Sequence, residues 1–83
     1  MKKLTKEWVA KAEADFVVAN ELRQVQPPVY DARCFHCQQA AEKYLKALLV
    51  ELGAAVPRTH NLDDLLALLL PHYPTRGNVQ WRT

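Results

Sequence analysis

His36, Gln39, Lys43 and Lys46 follow one another at intervals of three and four residues. On a helix turning about 100° per residue they share one arc. An imidazole, an amide and two ammonium groups in a row are hydrogen-bond donors suited to a phosphate or another anionic group. A solvated helix face carrying lysines for solubility has the same pattern, so the arc marks a candidate surface and no more. Downstream, His60 and Asn61 add an imidazole and an amide. Either imidazole is a residue type suited to general-base work, and either lysine to stabilising phosphate charge. No residue is assigned a catalytic role on this basis.

Cys34 and Cys37 form a C-x-x-C around His36, which invites a redox or zinc interpretation. A thioredoxin-like motif follows a strand, and no strand pattern is present; a closed zinc site needs four ligands, and there is no second cysteine pair. The cysteines are predicted to be small, buried, apolar residues, with no metal and no cofactor.

These residues need helices to hold them. Trp8, Ala12, Phe16, Ala19 and Leu22 form the apolar stripe of a first helix, predicted from Thr5, as N-cap, to Val25. Asp15 lies within that stripe, where an unpaired carboxylate is costly, so it should bond to a neighbouring helix. Gln26-Pro27-Pro28 ends this helix. Asp31 then caps a second helix reaching Leu52, with Gly53 at the left-handed C′ position. Its core face is predicted to hold Cys34, Cys37, Ala41, Leu45, Leu48, Leu49 and Leu52. Asn61 caps a third helix in which Leu62, Leu65, Leu66 and Leu69 follow the i, i+3, i+4, i+7 rule, and which stops at Pro71. The organisation expected is an all-α antiparallel bundle over residues 1–70 and an irregular tail over 71–83.

With 83 residues the chain holds at most one domain, close to the size at which a single core only just outweighs chain entropy. A net charge of +2 permits nucleic acid without the dense basic patch of a dedicated duplex-DNA binder. No apolar run approaches a membrane span, and Met1-Lys2-Lys3-Leu4 leads into a helical pattern with no leader-like segment, so a soluble, cytoplasmic protein is expected. Three helices cover each other's apolar faces only partly, which predicts a homo-oligomer. The simplest form is a two-fold dimer that packs the faces of helices 1 and 2 into a four-helix core.

The segment FHCQQAAEKYLKALL, followed by PRTHNLDDLLALL and preceded by a helix with Trp8, Ala12 and Asp15, resembles the prokaryotic HEPN domain (higher eukaryotes and prokaryotes nucleotide-binding) over residues 5–74. The resemblance implies a helical bundle, commonly dimeric. It also implies a minimal nucleotidyltransferase as partner, in a toxin–antitoxin-like pair. On that basis His36, Gln39, Lys43, Lys46, His60 and Asn61 become candidate binding residues for a nucleotide or RNA. Asp15, Gln38 and Glu42 become candidate structural polar residues between helices.

RNA-cleaving members of the family carry an Arg four to six residues before a His, whereas Arg33–His36 and Arg58–His60 are closer together here. Family members also continue for two helices beyond the Pro-His-Tyr-Pro-Thr region, so the chain reads as a C-terminally short member. The function this favours is a binding module. The alternatives are a metal-independent RNA-cleaving toxin and a structural oligomerisation remnant without ligand.

Overall fold

A computed structural model describes residues 1–72. They form α1 (Lys3–Leu22), α2 (Tyr30–Glu51), α3 (Leu62–Leu69) and a 3₁₀ turn (Leu70–His72), with no strand among the described residues. The irregular tail expected from residue 71 onward falls, from residue 73, outside the described residues. None of the described helices is long and apolar enough to cross a membrane.

The two long helices run antiparallel, because Lys2 meets the C-terminal end of α2 while Asp15 meets His36 near its N-terminal end. The Lys2 backbone N–H donates to Glu51 Oε1 at 3.0 Å and its Nζ donates to the Val50 carbonyl at 2.9 Å. The Lys2 N–H, foremost among several contacts, holds the Glu51 carboxyl below its ordinary range. Ala12 and Ala19 are buried along α1, and Ala40 and Ala47 along α2. Small side chains at these levels let the two backbones approach closely. On another face of α2, Leu49 joins Leu65 and Leu69 of α3 in the apolar core, with Leu45, Ala54, Val56 and Leu62 packed around it.

Some local signals act as anticipated and others do not. Asn61 caps α3 by accepting from the Asp63 N–H at 2.8 Å, and Gly53 takes a left-handed φ of +77° after α2. Thr5 is buried within α1 instead of capping it, since the Lys2 contacts carry the helix start back to Lys3. Helix α2 begins at Tyr30, with Asp31 in its first turn, where an acid complements the helix dipole without serving as the cap. Helix α1 stops at Leu22, short of Val25, and Pro71 lies inside the 3₁₀ turn that extends α3.

The larger correction concerns faces. Phe16 is exposed, as are Cys34, Cys37, Ala41, Leu48 and Leu52, all of which were expected in the core. Of the predicted α2 core face, Leu49 is buried and Leu45 is partly buried. The arc read as a polar surface is turned instead toward α1.

At Gly53, an added Cβ would sit 3.7 Å from Lys2 Nζ, an ordinary contact, so the backbone alone decides the effect of a side chain there. Gly53→Ala should cost about 1–2 kcal/mol, the penalty for an L-residue in the left-handed region. In a domain of this size that lowers the melting temperature by several degrees in a calorimetric scan. An unchanged melting temperature would mean that the α2 terminus relaxes out of this conformation.

Candidate functional site

Two acidic residues organise the polar groups between the helices. Asp15, one turn from both Ala12 and Ala19, points from α1 toward α2 with its side chain 14 % exposed. Its Oδ1 accepts from His36 Nδ1 at 3.1 Å, and its Oδ2 accepts from Lys43 Nζ. His36 and Lys43 are two helical turns apart, so they close on the carboxylate from opposite directions along α2. The Lys43 bond holds the Asp15 carboxyl below its ordinary range, against the opposing effect of burial, and the His36 bond adds to it.

Glu42 repeats the arrangement on the neighbouring arc of α2. Its side chain is 2 % exposed, and its Oε1 accepts from Lys46 Nζ at 3.2 Å and from His60 Nδ1 at 2.6 Å. Its Oε2 is buried without a partner. Lys46 is itself buried, with its ammonium 5.3 Å from the centre of the Trp8 ring on α1. Lys11 approaches the same ring at 5.1 Å. The connector before α3 is pinned locally: the Asn61 N–H donates to Thr59 Oγ1 at 3.1 Å, and that hydroxyl donates to Asp64 Oδ2 at 3.2 Å. The Glu42–His60 bond then ties the start of α3 to α2.

Each acid therefore holds one imidazole and one ammonium. A carboxylate oxygen only accepts, so the Nδ1 of each ring carries the proton that is donated, and Nε2 lies on the far side of the ring. The His36 side chain is 29 % exposed and that of His60 is 83 % exposed, so His60 presents the more accessible nitrogen.

His60 stands between two depressions. One, of about 470 Å³, is lined by Leu4, Trp8, Lys46, Val56, Pro57, Arg58 and His60. The other, more open, is bordered by Gln38, Thr59, His60, Asn61, Leu62 and Asp63. The first joins an aromatic ring and apolar walls to an ammonium, a guanidinium and an imidazole. That combination suits a ligand with a flat apolar part and an anionic group.

The candidate residues are thus divided. Lys46 and His60 meet in the first cleft, and His60 and Asn61 border the second. His36 and Lys43 are occupied by Asp15, and Gln39 is half-buried on the same arc. Gln38 is exposed on the rim of the second cleft. Trp8 and Arg58 complete the first cleft. Trp8 reads from sequence as a core residue, and nothing local brings Arg58 to α1. Cys34 and Cys37 are free, exposed thiols, and no group of three metal-ligating side chains converges among the described residues.

The family model described as HEPN domain matches residues 5–80 of the chain. Neither the curated proteins nor the solved structures contain a significant match.

Proposed function

The chain belongs to the HEPN domain family, and from that premise we propose that it is a binding module taking a nucleotide at the cleft between Trp8 and Arg58. A minimal nucleotidyltransferase is its proposed protein partner, in a prokaryotic two-component pair of toxin–antitoxin type. The observation that carries the nucleotide reading is the setting of His60. Its ring is anchored through Nδ1 to buried Glu42 and exposed on the other side, beside Arg58 and the Lys46 ammonium. The phosphate would contact Arg58 and His60 at the rim, and the base would lie against Trp8, Val56 and Pro57. Lys43 has no part in this site, because Asp15 already engages it.

Few unengaged cations line this cleft, which means weak, salt-sensitive binding. With about two phosphate contacts, affinity should fall about five- to tenfold between 50 and 200 mM salt. Titration calorimetry with ATP, GTP and a short RNA should show it, with the RNA recovered intact. Arg58→Glu and His60→Ala should each weaken binding at least tenfold; Arg58 is exposed, and circular dichroism checks that His60→Ala, which gives up the Glu42 bond, keeps the fold. Binding that ignores both substitutions moves the site elsewhere, and no binding at all removes the nucleotide reading. The partner is tested separately, by co-purification with a minimal nucleotidyltransferase encoded beside this chain.

One observation favours the RNA-cleaving alternative. Two imidazoles, each held through Nδ1 by a carboxylate, are a geometry that general-base chemistry uses. The absence of a matching Arg–His spacing weighs against it. Cleavage lost on His36→Ala or His60→Ala would make it the better reading.

A further inference from the structure

The facing of α2 leaves two thiols open to solvent. The stripe that runs from Tyr30 through Cys34, Cys37, Ala41 and Leu48 to Leu52 is exposed, and both cysteines on it are free. Their surroundings differ. Cys37 lines a groove between α1 and α2 together with Phe16, Ala19, Asn20, Arg23 and Arg33, whereas Cys34, one turn earlier, is not part of that lining.

The groove sets positive charge beside a thiol. Arg33 precedes Cys37 by four residues, so the two side chains share one face of α2. The Arg33 guanidinium carbon lies 6.0 Å from the centre of the Tyr30 ring. Arg23 enters from the C-cap of α1, where its Nη1 donates to Asn20 Oδ1 at 3.3 Å. Two guanidiniums thus converge from two helices on a groove that no acid lines, and among the described residues neither is paired with a carboxylate. Lys43 and Lys46 are the contrast, since Asp15 and Glu42 already engage them.

Size decides the kind of ligand. The cavity holds about 150 Å³, below the roughly 300 Å³ at which sites for free small molecules begin. A covalent bond to Cys37 supplies what contact area does not. The guanidiniums then select among the reagents able to form one.

We propose that Cys37 is a modification site for a low-molecular-weight disulfide that carries carboxylates. The Cys37 thiol gives its proton to solvent, and the thiolate attacks one sulfur of the reagent. A bond forms between Sγ and that sulfur while the reagent's own sulfur–sulfur bond breaks. The other half leaves as a thiolate and takes up a proton, so one thiol and one disulfide become one mixed disulfide and one thiol. Cys37 is oxidised, the departing half is reduced, and no further oxidant is needed. The carboxylates of the attached half lie against Arg23 and Arg33. The cleft between Trp8 and Arg58 shares no residue with this groove, so the proposal is independent of the nucleotide reading.

The test compares two single-thiol forms of the whole chain, Cys34→Ser retaining Cys37 and Cys37→Ser retaining Cys34, both changed at exposed positions. Oxidised glutathione, with carboxylates on each half, should modify the Cys37 form at least about fivefold faster at low salt, an advantage that shrinks as salt screens the guanidiniums. The uncharged hydroxyethyl disulfide should react with both forms at similar rates, and the cationic cystamine should favour the Cys34 form. Adding Arg23→Gln and Arg33→Gln to the Cys37 form should abolish the glutathione advantage and leave the hydroxyethyl disulfide rate unchanged. Circular dichroism checks that this variant folds; if it does not, the three reagents on the unaltered groove decide alone. A Cys37 advantage of the same size for all three reagents would reflect accessibility only and overturns the proposal. So does a Cys37 form that oxidised glutathione leaves unmodified, and so does a glutathione advantage that survives loss of both arginines.

Discussion

Glu42→Ala should destabilise the protein by about 3–5 kcal/mol, the range found when one partner of a buried ion pair is removed. The effect is large because of what remains. Lys46 is buried, and Glu42 is the only acid bonded to its ammonium among the described residues, so the substitution leaves a desolvated cation facing the Trp8 ring. Cation–π attraction of about 1–2 kcal/mol offsets only part of that. His60 loses its anchor as well, but its ring is already open to water and costs little. For a domain this small the loss approaches the whole stability.

The same logic predicts a rescue. The Oε2 of Glu42 is buried without a partner, so the native pair carries a desolvation cost of its own. Replacing both members with apolar residues of similar volume, Glu42→Leu with Lys46→Met, should recover most of the stability lost by either single change. Urea unfolding of the four proteins gives the coupling energy directly. Single losses under about 1 kcal/mol that simply add would mean the pair is solvated and the α2–α3 junction is held by leucines alone.

The helices were legible because apolar periodicity and the proline break before α2 are local, as are the Asn61 cap and the Gly53 stop. The facing of α2 was not legible. Its apolar residues occupy more than one arc, with Leu49 turned to α3 and the Tyr30-to-Leu52 stripe turned to solvent, and the more continuous stripe reads as the core. The row from His36 to Lys46 looks like a surface because lysines are seldom buried. Asp15 and Glu42 make the inward facing affordable by neutralising it, and pairing across helices has no signature in spacing along one of them. Of the first cleft, Lys46 and His60 could be picked out by residue type. Trp8 and Arg58 needed the packing of α1 and the path of the connector.

Asp15→Ala should cost about 2–3 kcal/mol, since it removes two charge-assisted hydrogen bonds between α1 and α2 and leaves Lys43 and His36 partly desolvated without an acceptor. The cost is smaller than at Glu42 because both partners keep some contact with water. Its dependence on pH separates this contribution from simple loss of packing. The carboxyl is held below its ordinary range, chiefly by the Lys43 bond. A group whose folded-state value is depressed stabilises the fold at every pH above its unfolded value, near 4, and loses that contribution as pH falls through the folded value. Wild type and Asp15→Asn should therefore differ by a constant amount from neutrality down to about pH 5. Below about pH 4 the gap should narrow as the wild-type carboxyl takes up its proton and ceases to bind the ammonium as an ion. Urea midpoints measured at intervals between pH 3 and 7 would show that convergence. A gap of the same size at both ends would mean that Asp15 stabilises the helix pair by shape alone, and that Lys43 is available to an anionic ligand.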